Sequence, residues 1–224
     1  MHPEPAPVFV FDTCVFIAAL RSRRGASFRL LELVGTGRFE IVLSLPLALE
    51  YEAVGRRHLP ETTLNDAQFE SILGYVYRTA DFREIYYSWR PTLVDPGDDM
   101  ILELAVAAGR ATIVTFNKAD FRGAERFGIR VCLPREVLAE VEGGRDVSTI
   151  SVDIPESLHF AADELAQESG VTIQQLLASA LAEKVSALGG ANRLNARVGP
   201  ADRAGFEEAL SHVADIEPEE MDRL

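Results

Sequence analysis

The chain predicts an α/β fold: a parallel sheet flanked by helices, followed by a small strand–helix–helix unit and an acidic tail. Three observations carry this expectation. Short apolar runs alternate with helix-patterned stretches over the first part of the chain, the order expected of strands joined by crossover helices. A charged, Gly-containing stretch, Glu142-Gly143-Gly144-Arg145-Asp146, then interrupts the pattern. Beyond it the charge balance shifts: residues 1–146 carry 17 basic and 21 acidic side chains (−4), residues 147–224 carry 5 and 14 (−9), of a total of −13. The expected division of the 224 residues is therefore 7–142, 147–189 and 190–224.

Each element has a local reason. Residues 8–11 form a short aromatic-rich apolar run ending at Asp12, a buried strand by pattern. A helix is expected over 28–34, closed by Gly35-Thr36-Gly37. A second strand spans 40–43, and Pro46 stands near the start of a helix reaching Arg57. Residues 63–77 open on Thr63 and repeat apolar side chains every three or four positions, which predicts another helix. Residues 85–87 and 92–94 fit either short strands or extended loop. After the turn at Asp95-Pro96-Gly97, Asp98 is placed to cap a helix running to Ala108, and Gly109 stops it. Strands at 111–115 and 129–133 and a helix at 134–141 complete the pattern.

Composition excludes several classes. Hydrophobic residues make up 47% and charged residues 25%, which suits a chain with a packed core rather than a disordered one. The longest apolar stretches, 8–11 and 101–108, fall short of the roughly 18 residues that span a bilayer. MHPEPAPVFVF lacks the basic region and cleavage site of a secretory leader. Two cysteines, Cys14 and Cys132, make neither a disulfide framework nor a zinc site, so a reducing cytoplasm is expected. The negative net charge repels nucleic acid at long range, so any phosphate binding must rest on local basic groups or on metal ions.

In open parallel sheets, ligands sit beyond the carboxyl ends of the strands. Four acidic residues distant in sequence fall where such ends meet loops: Asp12, Glu50, Asp98 (with Asp99 beside it) and Asp120. Each taken singly is an ordinary cap or turn residue, as are Thr13, Thr115 and Asn117. Brought together, the carboxylates repel one another unless a proton or cation intervenes. An oxygen-only donor set suits Mg²⁺ or Mn²⁺ rather than zinc, and the four histidines show no metal-ligand spacing.

The motifs FDTCVFIAAL, the Ser44–Glu50 spacing, DPGDDMILELAVAAG and VTFNKADF, with the trailing FGIRVCLPREVL, together resemble the PIN-domain ribonucleases, VapC-type toxins among them. The resemblance covers residues 7–141. It implies metal-binding catalytic carboxylates at Asp12, Glu50, Asp98 and Asp120, with Asp99 sharing or replacing the role of Asp98. Thr13, Thr115 and Asn117 match supporting polar positions. Cys14 departs from the Asn or Ser usual after the Asp-Thr pair. The implied activity is Mg²⁺- or Mn²⁺-assisted hydrolysis of RNA phosphodiesters. Arg21, Arg23 and Arg24 form a basic cluster suited either to the RNA backbone or to a solvated loop.

The second module carries TISVDI, an alternating polar–apolar strand, then Pro155 at the start of a helix to about residue 168, a break at Gly170, and a second helix from Thr172 to about 188. So short a unit cannot enclose a core alone; a partner chain must complete it. The segment resembles a ribbon-helix-helix module of the HicB-like antitoxin type, which implies homodimerisation, with pairing of dimers into tetramers left open. Such dimers read operator DNA with outward strand side chains, here Thr149, Ser151 and Asp153, of which Asp153 replaces the basic residue often found there and is repelled by phosphate. The tail, 190–224, is expected to be loosely ordered, and one of its arginines (Arg193, Arg197, Arg203 or Arg223) is a candidate to enter the carboxylate cluster as an inhibitor. The expected function is a metal-dependent endoribonuclease of toxin–antitoxin type with its own antitoxin-like module. The alternative is a catalytically silent PIN scaffold that regulates transcription through the dimer.

Overall fold

The computed structural model describes residues 6–85, 97–143 and 202–224, with the isolated positions Leu93, Asp95, Ala162, Leu165 and Ile173. The chain divides into two units, Met1–Arg145 with Ala201–Leu224, and Asp146–Pro200. The ribbon-helix-helix expectation over 147–189, including Thr149 and Ser151, lies outside the described residues, as do Arg193 and Arg197.

The first unit is built on a five-stranded parallel sheet. β1 (Val8–Phe11) lies at its centre, beside β2 (Glu40–Leu43) on one edge and β4 (Thr112–Val114) on the other. β3 (Asp81–Phe82) extends the sheet beyond β2, and β5 (Val131–Cys132) beyond β4, giving the order β3-β2-β1-β4-β5. Phe9, Val10 and Phe11 are all buried. Helices cover both faces of a parallel sheet, so its central strand is apolar throughout rather than alternating. The helices are α1 (Thr13–Arg21), α2 (Ala26–Leu33), α3 (Leu45–His58), α4 (Asp66–Thr79), α5 (Asp99–Ala107) and α6 (Pro134–Gly143).

The topology places a crevice. From β1 the chain proceeds outward through β2 to β3, then returns to the opposite side of β1 as β4. The direction of winding reverses between β1 and β4, and at such a reversal the loops leaving the two carboxyl ends diverge and open a cleft. Asp12 follows β1 and Thr115 follows β4.

Three elements differ from the sequence expectation. The first helix begins at Thr13, well before residue 28, and is followed by a separate α2. Thr13, Val15, Phe16, Ile17, Ala19 and Leu20 of α1 are buried, because α2 and α3 both pack on it; a helix covered on two sides shows no single apolar stripe. β3 lies at 81–82, before the predicted 85–87, and two half-buried residues are too few to show an alternation. α4 is capped by Asn65 in a capping box with Gln68 rather than by Thr63.

The C-terminal segment overturns the expectation of loose order for 202–224. α7 (Arg203–Ser211) lies on α4, with Phe206 stacked on Tyr75 at a 4.1 Å centroid separation and Ala209, Leu210 and Val213 buried. Two charged residues of the segment serve the two ends of α2. Gly25, at the N-cap, has no side chain to bond the first turn; Asp222 Oδ1 accepts hydrogen bonds from the Ser27 amide (2.8 Å) and hydroxyl (2.7 Å) instead. A Cβ at Gly25 would overlap that carboxylate. At the other end, the Arg203 guanidinium donates to the carbonyls of Glu32 (2.9 Å) and Val34 (2.8 Å). A negative group at the helix start and a positive one at its end both complement the helix dipole. Composition marked the segment as acidic and polar; the buried stripe of α7 and these two remote caps hold it in place.

Candidate active site

Asp12 is set by its backbone and by its neighbours. Its amide donates to Val114 O (2.9 Å), tying the end of β1 to β4. Its side chain caps α1, accepting weakly from the Cys14 amide at 3.4 Å on Oδ1. Oδ2 accepts from the Thr115 hydroxyl (2.6 Å) and the Cys14 thiol (3.2 Å). Thr115 is fully buried, and its oxygen in turn accepts from the Asn117 amide at 2.9 Å. One carboxylate oxygen is thus engaged by two side chains, while the other retains lone pairs for a further partner.

The remaining acidic groups stand around it. Asp98 is the N-cap of α5 by position, yet its side chain makes no capping hydrogen bond. Its carboxyl pKa is pushed up from 3.8 to about 6, first by burial and then by the negative charges of Asp12, Asp95, Asp120 and Glu50. Asp12, Glu50 and Asp120 are therefore all close enough for their charges to act on Asp98. Glu50 and Asp120 are half-buried, Glu50 on α3 and Asp120 in the turn whose amide bonds Asn117 O at 3.0 Å. Among the described residues, however, no three His, Cys, Asp or Glu side chains are grouped closely enough to hold a metal ion without rearrangement.

Asp99 has a different task. It is buried, and its Oδ1 accepts from the Leu93 amide at 2.8 Å, anchoring the chain that leads into α5. Thr13 is buried with its hydroxyl unbonded, and Asn117 is exposed. Two further neighbours shape the site, of which only Cys14 stood out in the sequence. Tyr51, next to Glu50 on α3, is wholly buried, stacks on Phe16 at 4.6 Å and donates its hydroxyl to Phe11 O. It thereby clamps the strand end that presents Asp12. Burial, and then the charge of Asp12, push its phenol pKa upward. A buried Tyr needs an acceptor, so its position beside Glu50 was the available clue. Cys14, the departure from the usual residue, is a protonated donor to Asp12: burial and the adjacent carboxylate push its thiol up to about 12.

The donor set available to a cation is therefore carboxylate oxygen, since the Cys14 thiol stays protonated and the described histidines are engaged elsewhere, His58 with Arg21 and Glu61, His212 with Ser211 and Glu208. This chemistry fits a hard divalent ion. The basic cluster lies at the other end of α1. Arg21 pairs with Glu61 (2.7 Å) and Glu219 (3.5 Å), Arg24 with Asp215 (2.6 Å) and Glu217 (2.9 Å), and the Arg23 amide donates to Ala214 O. Arg203, a candidate for insertion among the carboxylates, is instead committed to α2, and Arg223 bridges Gly25.

Asp98 supplies a stability test. Between pH 3.8 and about 6 the folded chain retains a proton that the unfolded chain has released, so Asp98 makes stability fall as pH rises across that window. In urea denaturation with a chelator present, Asp98→Asn should gain stability relative to the parent as pH climbs from 4 to 6 and keep a constant advantage above it. A difference that does not vary with pH would show that the carboxylates do not share a field.

A parallel α/β sheet with carboxylates near its switch point is an open α/β fold whose ligands meet the carboxyl ends of the strands. The chain belongs to the PIN-domain family: the family's model matches residues 8–119, half of the chain, and so takes in Asp12, Glu50, Asp98, Asp99, Thr115 and Asn117. PIN domains are typically nucleases and generally use divalent metal ions. No curated protein and no solved structure matches the chain. Among the described residues, no helix is long and apolar enough to cross a membrane.

Proposed function

We propose that the protein is a Mg²⁺- or Mn²⁺-dependent endoribonuclease of the VapC-like, toxin–antitoxin type, acting in the cytoplasm. The observation that carries this reading is the gathering of acidic groups at the switch point, where Asp12 ends β1 beside Thr115 of β4 and the charges of Asp12, Asp120 and Glu50 reach Asp98. When bound, a divalent ion supplies polarisation of the scissile phosphate and a more acidic attacking water. The chain's own contribution is to hold the ligands. Thr115 and Cys14 fix Asp12 through Oδ2, and Oδ1, which accepts only the long bond from the Cys14 amide, would be the oxygen to hold a cation. Tyr51 keeps the end of β1 from drifting, and Asp99 holds the approach to α5 so that Asp98 faces the other carboxylates. Asp98, its carboxyl pushed up to about 6, would hold its proton only below that pH.

The second module completes the proposal. The alternating strand, Pro155 and the Gly170 break support a ribbon-helix-helix unit that pairs two copies, with tetramers as a further assembly and Thr149 and Ser151 as the side chains facing operator DNA. A silent PIN scaffold acting through that dimer is the second reading, favoured by the absence of a compact metal-holding group among the described residues. The discriminating experiment incubates the full chain with total RNA in Mg²⁺, in Mn²⁺ and in EDTA, beside a calorimetric titration of each metal. Cleavage that requires metal, with saturable binding, is expected; no cleavage and no binding heat in either metal would leave the scaffold.

A further inference from the structure

The C-terminal segment does more than cap α2. Between its two buried anchors, the apolar face of α7 through Val213 and the Asp222 carboxylate, runs a short stretch whose alternate residues Asp215, Glu217 and Glu219 all face arginines of the α1–α2 corner. Arg24 engages Asp215 through Nε and Glu217 through Nη1, and Arg21 meets Glu219 through Nη1 at 3.5 Å while its Nη2 holds Glu61 at 2.7 Å. The partner side chains are largely in solvent: Asp215 is 68% exposed, Glu217 70% and Glu219 81%. Exposed pairs of this kind contribute little to docking, because water and salt screen them. The segment is held by its anchors, so three carboxylates on two arginines are not required for its attachment.

We infer that residues 215–219 form an acidic strap lying on a phosphate-binding strip made by Arg21 and Arg24, and that the strap competes with the RNA backbone for it. Guanidinium groups take carboxylate and phosphodiester oxygens with the same planar fork, so the two occupants exclude each other. Arg21 ends the helix that Asp12 begins, about 13 Å along its axis at 1.5 Å per residue, so an RNA strand whose scissile phosphate meets the carboxylates carries flanking phosphates toward the strip. Tethering at both ends keeps the strap at a high effective concentration; the Ser22 hydroxyl on Ile216 O (2.6 Å) and the buried Pro218 hold its backbone, so it is the exposed carboxylate side chains that give way to phosphate. The restraint is therefore electrostatic and acts on substrate capture; it differs from an arginine entering the carboxylate cluster. This inference rests on the ribonuclease reading for the identity of the polyanion.

The test measures binding without cleavage. The full chain and a D215N/E217Q/E219Q variant are titrated with a fluorescent single-stranded RNA in EDTA, across a range of salt, by anisotropy. The anchors Phe206 and Asp222 are left intact. The variant should bind about tenfold more tightly at low salt, and its log–log salt slope should steepen by about 1.4, corresponding to two phosphate contacts on a single strand. Adding R21Q/R24Q should remove both gains. Unchanged affinity and slope in the triple variant would overturn the strap, as would a gain that survives loss of the two arginines, since net charge alone would then explain it. Cleavage in Mg²⁺ or Mn²⁺ is scored separately. Tighter, arginine-dependent binding without any cleavage upholds the strap and rejects the nuclease; metal-dependent cleavage with unchanged binding does the reverse.

Discussion

Replacing Asp12 by Asn should abolish metal-dependent RNA cleavage while leaving the fold intact or more stable. The two isosteric groups differ only in charge and in one oxygen. An amide oxygen placed at the Oδ2 position still accepts from Thr115 and Cys14, and the lost contact with the Cys14 amide is the long one, at 3.4 Å. Removing the negative charge also relieves Asp98 and Tyr51, both of which Asp12 pushes upward. What disappears is an anionic ligand at the switch point. Altering groups that merely orient a metal ligand typically costs about 10–100-fold, and loss of the ligand itself should exceed that. The measurement is cleavage of total RNA beside a urea titration. Retained cleavage with an unaltered denaturation midpoint would remove Asp12 from the chemistry.

Phe206→Ala should destabilise the first unit by about 3–5 kcal/mol, the usual cost of emptying a buried aromatic site. Phe206 is fully buried, lies on Tyr75 and beneath the Arg203 guanidinium, and is the largest apolar group by which α7 holds α4. Loss of the ring also slackens Arg203 on the carbonyls of Glu32 and Val34, so part of the cost appears at the C-terminal end of α2. Chemical denaturation of the full chain provides the value. A loss under about 0.5 kcal/mol, within the range of surface substitutions, would mean that the segment is an accessory rather than a part of the unit.

The positions of the candidate site residues were legible because they obey local rules. Asp12, Asp98 and Asp120 sit where a strand ends or a helix begins, and the apolar runs at 8–11, 40–43 and 111–115 mark a sheet buried on both faces. Glu50 was placed by its spacing from Ser44, and the helix between them formed as expected. Legibility failed where burial removes periodicity, as in α1, and where an element is as short as β3. It failed also for Tyr51 and for the true partner of Asp99, whose hydrogen bonds go to backbone groups far along the chain or in an irregular loop. The pairing of Arg21 and Arg24 left no mark in the sequence because their acidic partners are remote, Glu61 lying 40 positions from Arg21 and Glu219, Asp215 and Glu217 nearly two hundred from the arginines they meet.

By itself, then, the order of residues determined a parallel α/β sheet, the residues at its carboxyl edge, and their oxygen-only chemistry, since hydrophobic period and turn composition act over a few neighbours. Only the tertiary structure decided that Asp98 carries the strain of the shared charge, that Asp99 serves the backbone, and that the acidic C-terminal segment belongs to the first unit. Those outcomes depend on distances between groups remote in sequence. Electrostatic fields and caps supplied across the fold have no local signature, so they become visible only when the chain is closed on itself.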